Sequence, residues 1–273
     1  MKPFQALFIS LSASLTLIST SLSALPEFIP IQEKAQGHSL TGANQLNDSL
    51  YTNPAASSFT QVYALEGTYA MPKTYAVSIL DTKTSEVGGA FGYFRTKLDN
   101  SSDPFQGFKV AFAGRVSDTV GTGLGGKILW GPNSEGVNTH LNDLDFGTIS
   151  HFGIFQTGVT LRNILGGNAS IKQYREWSIG ARAGYEDTLF LNVSAVSKWE
   201  NLHFYQYGIG AEYVSPYFFS IKGGYRTQPD PHFSFWSAGV SFISPKFSLH
   251  YAIEFPQQQG SKTEHTISAT LLF

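Results

Sequence analysis

The fold is decided by the stretch TISATLLF, residues 266–273, at the carboxyl end of the 273-residue chain. In an extended chain successive side chains point to opposite faces, so Ile267, Ala269, Leu271 and Phe273 share one face. The other face carries the hydroxyl groups of Thr266, Ser268 and Thr270. One apolar face and one polar face over about ten residues is typical of a strand in a membrane-spanning β-barrel.

The same alternation recurs along most of the chain. Around Trp177 an apolar face alternates with small and charged side chains, and the stretch from Phe247 to Glu254 repeats the pattern. The pattern predicts about fourteen strands, an even number as in single-chain bacterial barrels, forming an all-β, antiparallel, up-and-down transmembrane barrel. The expected strands are 59–69, 74–81, 85–95, 106–117, 119–130, 143–150, 152–163, 176–186, 188–198, 203–213, 216–226, 232–242, 245–254 and 264–273.

The lengths of the connections support this interpretation. Tight turns, such as those at Asp118, Asp187 and Ser215, alternate with longer polar connections, such as 97–105 and 164–175. Outer-membrane barrels have short periplasmic turns and longer external loops. A soluble β-sandwich would share the period of two but not this alternation of connection lengths.

The amino terminus resembles a secretory signal peptide. Lys2 precedes an apolar stretch, 6–18, and small residues follow before Ala24, so we expect residues 1–23 to be removed on export. This apolar stretch is short and interrupted by serines, and no later window is long enough for a spanning helix. A chain of this kind can cross a membrane only as a closed barrel, because every backbone polar group must be paired.

Composition narrows the classes of function. Charged residues make up 14% of the chain, compared with about 25% in soluble domains. The formal net charge of −2 gives no general attraction for nucleic acid, so we expect no nucleic-acid partner. The absence of cysteine excludes disulfides and a lipid anchor on an amino-terminal thiol.

Residues 24–58 lack sustained alternation and form a separate segment before the barrel, which we place at 59–273. This segment contains GHSLTGA at 37–43 and Asn53-Pro54-Ala55, with a short helix expected before Pro54. A fourteen-stranded barrel encloses a wider lumen than the eight-stranded barrels that side chains fill. We therefore expect this segment to act as a periplasmic or luminal plug.

These features together resemble the long-chain fatty-acid transporter superfamily of outer-membrane barrels, which includes barrels associated with type IX secretion. The resemblance rests on the Gly-Ala stretch, the Asn53-Pro54-Ala55 motif, the fourteen-strand pattern and the terminal aromatic residue. It implies that Asn53, Pro54 and Ala55 lie in an amino-terminal hatch inside the barrel. It also implies either transport or, as in the secretion-associated barrels, protein docking.

The carboxyl-terminal Phe273 resembles the signal that barrel assembly machinery recognises. This machinery and the outer-membrane lipid are therefore the expected partners, and the outer membrane is the expected location. The alternative reading is a last strand that merely ends in an apolar residue.

The strand registers also predict basic side chains in the lumen. We assign to it Lys109, Arg115, Lys127, Arg162, Arg182 and Lys222, opposed by Glu186, Glu212 and Glu254. An excess of basic groups in a lumen favours anions. The alternative is a closed lumen filled with ion-paired side chains, and a register slip would move several of these residues outward.

No motif for catalysis, cofactor or metal is convincing. Residues 121–126 match the glycine spacing of a dinucleotide-binding loop, but a strand follows where that motif needs a helix. The histidines lack metal-ligand spacing. Ser248 and His250 face inward together, but about 7 Å of strand separates their positions, so we expect no enzyme.

The sequence thus predicts an outer-membrane barrel for passive transport of small hydrophobic or anionic solutes. A non-conducting structural or protein-docking barrel and an embedded lipid-modifying enzyme are the alternatives.

Overall fold

The structure is a computed structural model of the chain. It describes residues 27–71, 73–97, 103–132, 137–168, 171, 173–200, 203–229, 233–258 and 261–273. The signal peptide expected at 1–23 lies outside the described residues, as do residues 24–26 of the segment expected at 24–58.

Fourteen antiparallel strands form a closed barrel, in which β1 pairs with β14 and every other pair is consecutive in the chain. The predicted fold class is confirmed. The strands are Tyr63–Met71 (β1), Thr74–Asp81 (β2), Val87–Lys97 (β3), Pro104–Arg115 (β4), Val120–Pro132 (β5), Asn138–Phe152 (β6), Phe155–Arg162 (β7), Glu176–Tyr185 (β8), Leu189–Lys198 (β9), Phe204–Val214 (β10), Phe219–Gln228 (β11), Phe233–Ile243 (β12), Phe247–Pro256 (β13) and Glu264–Leu272 (β14).

Two predicted strand starts differ from the structure by four or more residues. β1 begins at Tyr63 rather than at 59, because the chain first makes a turn in which the Thr60 amide donates to the Ser57 carbonyl. β6 begins at Asn138 rather than at 143, because its first residues continue the ladder with β5 up to the Asn138–Pro132 pair. The β5–β6 connection is therefore shorter than the expected external loop.

The outward face of the barrel is apolar. Phe112, Leu124 and Val240 are more than half exposed, although they lie in the middle of strands. A continuous exposed apolar wall is stable only against lipid. No helix in the described residues is long and apolar enough to span a membrane.

Leu191 and Val193 test the assigned outward face. Both point outward on β9, with relative exposures of 54% and 49%. Leu191→Arg is expected to reduce the free energy of unfolding by about 2–4 kcal/mol, as for a cation placed in the middle of the apolar band. Denaturant unfolding in lipid vesicles measures this change, and Asp118→Arg, which places the same cation in the exposed β4–β5 turn, serves as the control. Unchanged stability of Leu191→Arg would contradict the assignment.

The amino-terminal residues 27–58, which we call the hatch, lie inside the barrel. They form the short helix α1 (Ile31–Ala35) and three turns of 3-10 helix at Leu40–Gly42, Asn47–Leu50 and Pro54–Ser57. Most of their side chains are buried, including polar ones such as Ser49 and Asn53. The lumen is therefore occupied by chain as well as by the side chains of the strands.

Candidate functional site

The hatch packs against glycines on the inner wall. A Cβ atom added to Gly123 would lie 2.5 Å from the Pro54 carbonyl carbon, and one added to Gly42 would lie 2.5 Å from the Gly180 carbonyl oxygen. Any side chain at these positions would push the hatch away from the wall. The wall glycines in such close contact with the hatch are Gly92, Gly121, Gly123, Gly147, Gly158, Gly180, Gly208, Gly210, Gly224 and Gly239.

The apparent nucleotide motif at 121–126 is explained by this packing. Gly121 and Gly123 lie within the uninterrupted strand β5 and face Ser58 and Pro54 of the hatch. No helix follows them, so the segment does not have the geometry of a dinucleotide-binding loop.

The Asn53-Pro54-Ala55 motif fixes the hatch in place. Asn53 is fully buried; its side-chain oxygen accepts the Ala55 amide at 3.0 Å, which caps the 3-10 turn that Pro54 begins. Its side-chain nitrogen donates to the Thr41 carbonyl at 2.9 Å and to the Thr148 carbonyl of β6 at 3.1 Å. Asn53 therefore joins two turns of the hatch to each other and to the wall.

A second attachment lies at the end of α1, where Gly37 and His38 both have positive φ, at 63° and 56°. Glycine is needed at 37 because an added Cβ atom would lie 2.6 Å from the Tyr225 amide nitrogen of β11. Arg226 lies 3.2 Å from Nδ1 of His38, and a guanidinium can only donate, so Nδ1 accepts. Nε2 then donates to Glu254 at 3.2 Å. Burial and the nearby Arg226 lower the pKa of His38 to about 4, which keeps it neutral.

The predicted luminal basic residues all have partners in the structure, and several hold the hatch. Lys109 and Lys127 bind Glu27 of the hatch. Arg162 donates to the Thr52 carbonyl, and Arg115 donates to the Ser58 carbonyl at the rim. Arg182 and Lys222 lie 3.6 and 3.4 Å from Glu212.

The lumen holds more acidic groups than the three that the sequence registers assign to it. The strand registers place further carboxylates on inward positions, and Glu186 lies in a turn rather than in the lumen. Basic and acidic side chains of the described strands are therefore nearly balanced inside. The inward acids are Glu66, Asp143, Asp145, Glu176, Glu212, Glu254 and Glu264.

The most buried charges form one cluster. Lys127 Nζ lies 3.3 Å from Glu27 and 3.1 Å from Asp145, and its side chain is completely buried. Lys109 also contacts both carboxylates. Burial alone would raise the pKa of Glu27, but Lys109 and Lys127 hold it well below its usual value. Glu27 is therefore an ionised anchor between the hatch and β4 and β5.

An apolar cluster fills the lumen at the end opposite the tight turns. Phe28 of the hatch lies 4.7 Å from Tyr51 and 6.1 Å from Phe94, measured between ring centroids, and Phe94 lies 6.2 Å from Phe105. The luminal apolar cluster comprises Phe28, Leu50, Tyr51, Ala76, Phe94, Phe105, Ala111, Leu129, Leu141 and Ile171. Aromatic and aliphatic walls of this kind are typical of sites for apolar ligands.

This cluster was not predicted from the sequence, because the inward face was expected to carry polar and basic groups. A signal was present where alternation fails, at Tyr93-Phe94 on β3 and at Ile128-Leu129-Trp130 on β5. In such runs both faces of a strand are apolar. One face of these strands contacts lipid, so the other must line an apolar part of the lumen.

A small cavity of about 70 Å³ remains between hatch and wall, lined in part by Phe28, Glu33, Tyr51 and Arg162. A cavity that binds benzene in a protein core measures about 150 Å³. The cavity is therefore large enough for water but not for an aromatic ring in this conformation.

Ser248 and His250 do approach each other, which corrects the expected separation. His250 Nε2 lies 2.9 Å from the Ser248 hydroxyl, because side chains two residues apart share a face and the imidazole ring is long. The side-chain nitrogen of Gln32 can only donate and lies 2.9 Å from Nδ1 of His250, so Nδ1 accepts. Nε2 then carries the proton and donates to Ser248. In a catalytic pair the serine hydroxyl would instead donate its proton to the histidine.

Phe273 lies at the seam where β1 and β14 close the barrel. Its amide donates to the Tyr63 carbonyl at 2.9 Å, and its ring is 65% exposed beside the Tyr63 ring. Its role as an assembly signal stays a prediction. In the described residues no group of three His, Cys, Asp or Glu side chains is placed to hold a metal ion.

Glu33 makes the stability of the docked hatch depend on pH. Burial raises the pKa of Glu33 from 4.5 to about 7, although Arg162 lowers it. Its stabilising contribution is fully present below pH 4.5 and is lost as the pH rises through 7, because the raised pKa favours the protonated form. Gln cannot ionise, so the hatch of Glu33→Gln keeps its stability as the pH rises. Above pH 7 we expect it to be more stable than the native hatch by up to about 3 kcal/mol.

Limited proteolysis of the hatch between pH 4.5 and 8 measures this effect. The native hatch should become easier to cleave, relative to Glu33→Gln, as the pH increases. A constant ratio of cleavage rates over the whole interval would contradict the role given to Glu33. The control is Glu86→Gln, which removes an exposed carboxyl in the β2–β3 turn.

No protein-family model matches this sequence, and no curated protein matches it. Solved structures do match in fold. CymD, described as a monoaromatic hydrocarbon channel, has a TM-score of 0.70 at 11% identity, over 90% of this chain and 97% of that one. The Ralstonia pickettii toluene transporter TbuX has a TM-score of 0.64 at 11% identity, over 91% and 98%. A Pseudomonas aeruginosa FadL homologue has a TM-score of 0.60 at 10% identity, over 90% and 98%.

The chain therefore has the fold of the FadL-like outer-membrane barrels, as its sequence resemblance predicts. At identities near 10% the likeness shows the fold alone, and the function is argued from the site.

Proposed function

We propose that this protein resides in the outer membrane after signal-peptide export and lets small hydrophobic solutes cross it passively. The observation that carries the proposal is the luminal apolar cluster at the external end of the barrel. The cluster places buried aromatic and aliphatic side chains at the end of the lumen that a solute from outside would enter. The structural neighbours CymD and TbuX are described as a monoaromatic hydrocarbon channel and a toluene transporter, which supports the same class of solute here.

The charge balance of the lumen favours hydrophobic over anionic solutes. Lys109 and Lys127 are already paired with Glu27 and Asp145, so their field on an entering anion is largely cancelled. An anion passing through would also have to displace the buried ion pairs, whose separation is costly. Apolar solutes face no such cost at the cluster.

Transport requires movement of the hatch. Phe28 occupies the centre of the apolar cluster, and the free cavity beside it is smaller than a benzene site. An aromatic solute would replace the Phe28 ring against Tyr51 and Phe94, and this exchange conserves most of the ring contacts.

The filled lumen favours a second candidate, a non-conducting barrel that docks another protein. This candidate requires neither a mobile hatch nor an apolar route. It predicts no solute uptake and no response to changes inside the apolar cluster.

Uptake of radiolabelled toluene distinguishes the two candidates. Initial rates are measured in Gram-negative cells that lack other hydrocarbon channels and express the native chain, Leu129→Asn or Leu129→Met. Asn has nearly the shape of Leu but is polar, so transport predicts reduced uptake for Leu129→Asn and near-native uptake for Leu129→Met. Equal amounts of folded barrel in outer-membrane fractions are the control. Native uptake no faster than that of cells without the protein would refute transport.

A further inference from the structure

The lipid-facing side of the barrel carries almost no charge. Among outward positions of the described strands, formal charges occur only at Asp81, Arg95 and Lys97. Asp81 lies at the tight-turn end of β2, whereas Arg95 and Lys97 lie together at the opposite end of β3. Two cations side by side on an otherwise apolar outer wall require a physical reason.

A third cation and an aromatic ring complete the group. Arg95 is directly opposite Tyr75 in the β2–β3 ladder, and the Lys97 amide donates to the Lys73 carbonyl at 3.1 Å. Lys73, Tyr75, Arg95 and Lys97 line a shallow outer pocket of about 200 Å³, which we call the basic rim pocket. Tyr75 is 58% exposed and stacks on Tyr69 at 4.9 Å between ring centroids. Among the described acids, Asp103 comes closest along the ladder, just before the Pro104 that pairs with Lys97. Among the residues that the structure describes, the cations therefore exceed the acids at this rim.

The depth of the pocket follows from strand length. β3, which carries Arg95 and Lys97, has eleven residues, which span about 36 Å along the strand at roughly 3.3 Å per residue. A strand tilt of about 40° reduces this to roughly 28 Å, and the apolar band of an outer-membrane barrel is about 25 Å tall. The external end of β3 therefore reaches the headgroup level of the outer leaflet, and its cations lie beside lipid headgroups.

We propose that the basic rim pocket binds the phosphate groups of a phosphorylated glycolipid in the outer leaflet. Arg95 offers a guanidinium fork that matches phosphate oxygens, and Lys73 and Lys97 add charge on either side. Tyr69 and Tyr75 lie level with Arg95 in the ladder and pack against the first part of the acyl chains. The proposal rests on the outer-membrane location proposed above, but not on transport.

The test is a binding measurement on the folded full barrel in neutral detergent micelles. The probe is a glycolipid with two phosphates on a glucosamine disaccharide, compared with the same lipid without phosphates and with inorganic phosphate. Binding is followed by the increase in the temperature at which the barrel unfolds, seen as a change in gel mobility. The variant Arg95→Gln/Lys97→Gln is matched with Lys83→Gln/Lys246→Gln, which removes two cations at the opposite end.

The phosphorylated lipid should stabilise the native barrel and the matched control equally. Its apparent affinity for Arg95→Gln/Lys97→Gln should fall by about tenfold or more, as expected for the loss of charge-assisted hydrogen bonds. Equal affinity for both double variants, or equal binding of the lipid without phosphates, would overturn the proposal. The same stabilisation by inorganic phosphate would assign the pocket to a free anion and would also overturn it. The assay involves neither transport nor cell fractionation, so its failure is distinct from failure of the proposed function.

Discussion

Deletion of residues 24–58 is expected to change a closed barrel into one with steady ion conductance. The hatch and the apolar cluster fill the lumen, whereas fourteen strands enclose a space wider than that of barrels filled by their own side chains. Removal of the hatch also removes Phe28, Leu50 and Tyr51 from the cluster. Single-channel recordings of the refolded protein in planar bilayers, with and without residues 24–58, measure the change.

A substitution that displaces the hatch without deleting it is the companion experiment. Gly123→Val places a branched side chain where the Pro54 backbone now lies, so it should increase conductance in the same direction. Gly67→Val is the matched control, because no atom lies within 4 Å of a Cβ atom added at this position. Absence of conductance in both the deletion and Gly123→Val, with the barrel shown to be folded, would contradict the assignment of residues 27–58 as the plug.

Lys127→Met is expected to lower the free energy of unfolding by about 3–5 kcal/mol, the range for removal of one partner from a buried ion pair. Lys127 has a completely buried side chain within reach of both Glu27 and Asp145. Without it, Lys109 alone would balance two buried carboxylates. Chemical denaturation in lipid vesicles, followed by tryptophan fluorescence, measures the loss.

Lys246→Met is the control for this substitution, because Lys246 is exposed in the β12–β13 turn and should change stability little. Lys127→Met/Asp145→Asn removes one positive and one negative group together and should recover part of the loss. A loss for Lys127→Met no larger than for Lys246→Met would show that the cluster does not stabilise the docked hatch.

The candidate site was predictable only in part. Asn53, Pro54 and Ala55 stand out in the sequence, and the structure shows why: a buried cap whose amide joins the hatch to β6. The basic luminal residues lie on the inner wall, but the sequence did not indicate which acidic groups they pair with. Lys127 meets Glu27, a residue 100 positions earlier, and no pattern in the sequence connects the two.

Period-two alternation and the spacing of turns determined that this chain is a barrel of fourteen strands with an apolar outer wall. Both are local properties. Alternate residues of a strand point to alternate faces, and a turn pairs each strand with the next one in the chain. Only the tertiary structure decided what the lumen contains. Closure of the barrel brings Glu27 to Lys109 and Lys127, the hatch to its glycines and Phe28 to Phe94 and Phe105. These contacts depend on the radius of the closed barrel and the path of the hatch, which no short stretch of sequence encodes.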